Sequence, residues 1–156
     1  MSAPGGDDAV EIAWEHPGPA PLADDDVRRA AEEALRHGGR PGIGLGIVFV
    51  DDARLAAMHA EYLDDPTETD VITFDLGEDG VGPAGELYVS VDRARACARE
   101  RGVSEARELA LYVVHGALHL CGFDDHEPDE RAAMRAAERA VLERLGYEPD
   151  DAPHER

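Results

Sequence analysis

Between Glu105 and Cys121 the chain runs through Leu109, Leu111, Val113, Val114, Leu118 and Leu120 with little polar surface to offer water. A helix that is apolar nearly all round is a buried one. Whatever fold forms must therefore surround this segment with other elements. Gly122 follows it, the residue type best able to take the left-handed conformation that closes a helix. Two histidines, His115 and His119, interrupt the run four positions apart, a spacing that sets them one turn above each other on one face.

The remaining segments supply the surroundings. Ala9 to Trp14 alternates as a strand does, and from Asp24 a helical pattern of Val27, Ala30, Ala31 and Leu35 runs to Gly38-Gly39. Ile43 to Val50 reads as a largely buried strand, with glycines where another backbone can pass closely. Asp51 or Asp52 is placed to cap a short helix carrying Leu55, Met58 and Tyr62. Asp70 to Phe74 and Glu86 to Val91 are the next two strands, separated by a loop of Gly, Pro and Asp. A helix from about Asp92 to Arg101 precedes the apolar segment, and Pro128 suits the first turn of a last helix reaching about Leu145. The expectation is one α+β domain over residues 7–148, with flexible tails at 1–6 and 149–156. Its mixed sheet has about four strands, with about five helices and a buried metal-bearing helix at the centre.

A chain of 156 residues is long enough to bury one core, and 43% hydrophobic content is that of a globular protein. No run approaches the roughly 18–20 apolar residues of a membrane helix, and the first residues lack the basic and apolar regions of a signal peptide. Cys97 and Cys121 are far apart, so neither a disulfide framework nor a thiolate zinc site is indicated. A cytoplasmic protein is expected. The formal charge of −20 repels polyanions at long range and, taken alone, argues against nucleic-acid binding. Total charge says little about a local patch, and arginines gather at Arg93, Arg95, Arg99, Arg101 and Arg107; a solvated helix face is the simplest account of them. His16, His37 and His154 are expected at the surface.

The chemistry concentrates in His115-Gly116-Ala117-Leu118-His119-Leu120-Cys121-Gly122-Phe123-Asp124-Asp125-His126. A turn after Gly122 can bring Asp124, Asp125 or His126 back to the spot at which both helical histidines point. Three protein ligands leave a fourth position for water, the catalytic zinc pattern, and imidazoles without thiolates suit zinc better than magnesium or calcium. His115, His119 and His126 are the expected ligands of one Zn2+ per chain. Asp125 competes for the third place, and imidazole is the commoner partner in such sites. The layout is close to that of zinc peptidases, but Gly116 stands where those enzymes carry their general-base Glu, which disfavours peptide hydrolysis by the usual route.

These residues resemble the YbeY-type endoribonucleases, whose signature H-G-x-L-H-L-x-G-[YF]-D-H is matched at His115, Gly116, Leu118, His119, Leu120, Gly122, Phe123 and an Asp-His pair. Pro66 with Thr69 to Phe74 (here with extra residues between Pro66 and Thr69), Gly85 to Ser90, and Glu108-Leu109 are similar to other segments of that family in order and spacing. The likeness covers roughly Ile43 to Gly146. It departs in three places, the mildest being Phe123 in place of the commoner tyrosine. One extra residue stands before the last histidine, so Asp125 occupies the family's usual ligand count. His59-Ala60-Glu61-Tyr62-Leu63 stands where the family has Asn-x-x-Tyr-Arg, so Leu63 replaces an arginine held to stabilise the phosphate transition state.

The resemblance implies a metal-dependent, single-strand-specific endoribonuclease in small-subunit rRNA maturation and ribosome quality control. It would work with ribosomal proteins and a ribosome-assembly GTPase, and without a membrane. Zinc-polarised water, or zinc stabilisation of phosphate charge, would carry the chemistry, with Asp124 or Asp125 as base or as orienting group. Thr69, Asp70 and Thr73 are candidates for the border of the cleft. Two other readings stand beside this one: a zinc hydrolase of a non-nucleic substrate, and a ribosome-assembly binding factor in which zinc is structural.

Overall fold

The computed structural model describes residues 9–63, 71–77 and 83–147. The elements are β1 (Val10–Trp14), α1 (Asp24–His37), β2 (Leu45–Val50), α2 (Asp52–Leu63), β3 (Val71–Asp75), β4 (Gly85–Ser90), α3 (Val91–Arg101), α4 (Glu105–Leu120) and α5 (Pro128–Arg144). The expected α+β architecture is present, with five helices and a mixed four-stranded sheet. Strand order is β1-β2-β4-β3. β1, β2 and β4 run parallel, and β3 pairs antiparallel with β4 from Val71 opposite Val89 to Asp75 opposite Gly85. The expected domain limits at 7 and 148, and both tails, lie outside the described residues.

Strand alternation divides the sheet into two unequal faces. Val10, Leu45, Ile47, Phe49, Leu87 and Val89 join the larger core with side chains from α1, α4 and α5. Val50 and Ile72, with Val48, Phe74 and Tyr88, form a smaller cluster under Leu55 and Met58 of α2. On β3 this leaves Val71 and Thr73 turned to the larger side, where α4 passes.

Helix α4 is central, as its composition requires. It touches α1, α3, α5, β3 and β4, and most of its residues are buried. Burying each of its leucines and valines contributes ~1.5–3 kcal/mol. Ser104 accepts from the Arg107 backbone N–H at its start, the expected use of a serine cap. Close approach is bought with glycine at three places. A Cβ on Gly116 would stand 2.8 Å from Leu87 Cδ2, one on Gly85 would stand 2.6 Å from Leu120 Cδ1, and one on Gly38 would collide with Cys121. The glycine of β2 behaves otherwise than expected: Gly46 has the side chain of Glu86 beside it, not a backbone.

Two other expectations change. His16 is not a surface residue: its side chain is 8% exposed and its Nε2 lies 2.8 Å from Asp92 Oδ1. It follows a parallel strand whose end abuts the start of α3, so the ring is enclosed between elements. The arginine group is only in part the expected solvated face: Arg99 is exposed, but others are engaged. Arg95 pairs with Glu105 and donates to the Pro19 carbonyl, Arg101 pairs with the buried Glu108 at 3.0 Å, and Arg107 is itself buried. His37 sits half-buried beside Arg144, and His154 lies outside the described residues.

Candidate metal centre

His115 and His119 lie one turn apart on α4. Gly116 holds this stretch of helix against β4, because any side chain there would overlap Leu87. The helix then closes tightly. The Gly122 N–H donates to the His119 carbonyl at 3.0 Å and the Phe123 N–H to the Leu118 carbonyl at 3.1 Å, with Gly122 at φ 100°. This paired closure needs a positive φ, which glycine supplies without a Cβ penalty. Phe123 packs onto the core, and the chain behind it doubles back along the helix end.

The turn brings Asp125 to the histidines. His115 Nε2 and His119 Nε2 face each other at 3.1 Å, and Asp125 Oδ2 lies 3.5 Å from the first and 3.9 Å from the second. His115, His119 and Asp125 are the one metal-capable group of three among the described residues, with ligand atoms within 4.8 Å of one another. Tetrahedral zinc with bonds of about 2.0–2.1 Å separates its donors by about 3.3 Å. The donor set and its spacing fit such an ion.

The other expected residues are placed differently. Asp124 is 52% exposed and its Oδ1 lies 3.7 Å from His119 Nδ1, beside the cluster but outside it. His126 is exposed and does not belong to the group, while its main-chain carbonyl accepts from Arg131 at 2.9 Å. That contact and the Glu127 N–H donating to Glu130 tie residues 126–127 to the first turn of α5. Thr73 lies on the sheet face that α4 covers. Thr69 and Asp70 lie outside the described residues, as does the side chain of Leu63.

Sequence reasoning missed Glu138. This residue of α5 is 3% exposed, and its Oε2 accepts from His115 Nδ1 at 2.6 Å. Arg135 Nη1 donates to both of its oxygens, at 3.2 and 3.3 Å. A signal was present in the sequence: Met134, Ala137, Val141 and Leu142 form the buried stripe of α5, and Glu138 lies on that stripe. A carboxylate on an apolar helix face is costly to bury without partners, so its position asks for one.

The electrostatics of His119 suit ligation. Burial, and then the neighbouring His115, lower the pKa of His119, against weaker raising contributions from Asp125, Asp124 and a backbone hydrogen bond at Phe123. The imidazole is thereby favoured in the neutral form that a metal needs.

The family described as Endoribonuclease YbeY matches residues 20–146. Proteins of that name are similar to this chain at 35% identity over 123 residues in Carboxydothermus hydrogenoformans, covering 78% of this chain and 85% of that protein. The protein of Desulforamulus reducens is 37% identical over 117 residues, covering 70% and 76%. That of Phocaeicola vulgatus is 38% identical over 111 residues, covering 71% and 79%. The solution structure of TM1509 from Thermotoga maritima superimposes with a TM-score of 0.61 at 26% identity, over 87% of this chain and 88% of that one. No helix among the described residues is long and apolar enough to cross a membrane.

Proposed function

The chain belongs to the endoribonuclease YbeY family, and on that footing we propose that it is a zinc-dependent hydrolase that cleaves single-stranded RNA internally. The observation that carries the proposal is the convergence of His115 Nε2, His119 Nε2 and Asp125 Oδ2 on one point. The biological setting we propose is small-subunit rRNA maturation and ribosome quality control in the cytoplasm, with ribosomal proteins and an assembly GTPase as partners.

His115, His119 and Asp125 are the residues that would hold the ion. His126 remains the rival for the third place, supported by the preference of such sites for imidazole. When bound, zinc supplies Lewis-acid stabilisation of charge on a phosphate oxygen and lowers the pKa of water. The chain's own contribution is positional. The helix spacing and the turn at Gly122 hold three donors within reach of one another without reorganisation. Asp124, exposed beside His119, is the group best placed to take a proton from an attacking water or to orient the imidazole. Gly116 can do no acid–base work, and it leaves α4 close against β4.

A second reading, hydrolysis of a non-nucleic ester, draws support from the charge of −20 and from the carboxylate partners of Arg95 and Arg101. One experiment addresses both. Purified protein is incubated with single-stranded RNA beside a His119→Ala variant and a chelated sample, at several salt concentrations. Cleavage that is absent from both controls and falls steeply with salt supports the nuclease. Zinc bound at one per chain without cleavage, and without competition by RNA in hydrolysis of a simple phosphate ester, would favour the second reading. Loss of fold on chelation would instead mark the ion as structural.

A further inference from the structure

The geometry points to Glu138 as the positioning residue of this centre, with Arg135 bracing it, an inference that rests on the metal reading above. In an imidazole one nitrogen carries the proton and the other the lone pair, and the hydrogen bond at the first decides which is which. Glu138 Oε2 lies 2.6 Å from His115 Nδ1. An ionised carboxylate only accepts, so this contact requires the proton on Nδ1. The lone pair is then left on Nε2, the atom that faces His119 and Asp125.

The carboxylate is itself held in place. Arg135, one turn earlier on α5, donates to both oxygens of Glu138 at 3.2 and 3.3 Å, and the two side chains are 17% and 4% exposed. Met134, Ala137, Val141 and Leu142 bury the same stripe of α5 in the core and so fix the height of Glu138 against α4. The site therefore draws on a helix that donates no ligand. A carboxylate behind a metal-ligating histidine fixes ring orientation and raises ligand basicity, and its loss commonly weakens metal binding by about 10–100-fold.

The test uses the full-length protein and its Glu138→Gln and Glu138→Ala variants. Zinc affinity is measured by competition with a chromophoric chelator. The tautomer of His115 in the zinc-free protein is read from long-range nitrogen–proton NMR, and thermal unfolding is followed alongside. The expected result is zinc binding weakened by about 10–100-fold in Glu138→Ala. A smaller loss is expected in Glu138→Gln, whose amide oxygen can still accept from Nδ1. The wild-type His115 signal should show the proton on Nδ1, with the Nε2-protonated form appearing in Glu138→Ala. Variants with wild-type zinc affinity and an unchanged tautomer, differing only in melting temperature, would overturn the inference and leave Glu138 a packing residue. A wild-type protein that binds no zinc overturns the metal reading, and the inference with it. If Glu138→Ala does not fold, the graded comparison rests on Glu138→Gln: an affinity equal to wild type with the tautomer unmoved is then the overturning result.

Discussion

Two histidine–carboxylate pairs stand in different parts of this domain, and they end differently. His16 lies 2.8 Å from Asp92, and His115 lies 2.6 Å from Glu138. Around His16 the polar groups run back into the fold. Asp92 Oδ2 accepts the Asp52 backbone N–H, the buried Ser90 hydroxyl donates to Asp52 Oδ1, and Ser90 Oγ accepts the Arg93 N–H that opens α3. Around His115 the far nitrogen looks onto two further donor atoms. The first arrangement ties the segment after β1 and the end of β4 to the starts of α2 and α3. The second gathers two imidazole nitrogens and a carboxylate oxygen, atoms of the kind that ligate a metal.

The contrast is instructive because open parallel sheets usually bind ligands beyond the carboxyl ends of their strands. Here that end holds the His16 network. The candidate centre lies at the other side of the core, at the end of α4 and beside the face of β3 that α4 covers. A short His–carboxylate contact therefore does not mark a functional site by itself. What the second imidazole nitrogen faces is the better guide.

Four experiments sharpen or break this comparison. The largest effect is expected from His119→Ala, which should abolish stoichiometric zinc binding in a chelator titration and reduce RNA cleavage to the chelated background. His16→Ala should leave both unchanged; a comparable loss of zinc in His16→Ala would dissolve the distinction between the two networks. Next, Asp125→Ala should weaken zinc binding more than His126→Ala does, measured by the same titration. The reverse order would make His126 the third ligand, with the loop rearranged on metal binding.

The His16 network should answer in stability alone. Ser90→Ala removes the cap of α3 and should cost ~1 kcal/mol in denaturant unfolding, with no change in zinc affinity. Asp92→Asn should have the smallest effect, since the side chain is 44% exposed. Its pH dependence is the sharper signature. The Asp52 backbone N–H, and then His16, lower the Asp92 pKa against opposing desolvation. A carboxyl with a lowered folded pKa stabilises the fold above its unfolded value of about 3.9, and that stability is lost as pH falls through the folded value. The gap between wild type and Asp92→Asn should therefore be level at neutral pH and close in acid. A gap that widens below pH ~4 would contradict this assignment.

Much of the molecule was legible beforehand. The strand and helix segments were readable because alternation, helical period and end signals such as Gly122 and Pro128 are local properties. The buried character of α4 followed from its lack of a polar face, and the shared direction of His115 and His119 from 3.6 residues per turn. The misplacement of His16 had a physical cause. A histidine after an alternating strand looks solvent-facing until the helix that covers it is known, and Asp92 lies 76 positions further along.

The sequence by itself determined a central buried helix, two histidines on one face of it, and a turn directly behind them. Those outcomes depend on neighbours within a few positions. Only the tertiary structure brings Asp125 Oδ2 to 3.5 Å from His115 Nε2 and 3.9 Å from His119 Nε2, and ties residues 126–127 to α5 through Arg131 and Glu130. Only the tertiary structure set Glu138, 23 positions from His115, behind the imidazole. The strand order belongs with these, since the pairing of β2 with β4 depends on how α1, α4 and α5 share one core. Contacts between distant segments are selected by the packing of all elements together, and no local pattern carries that information.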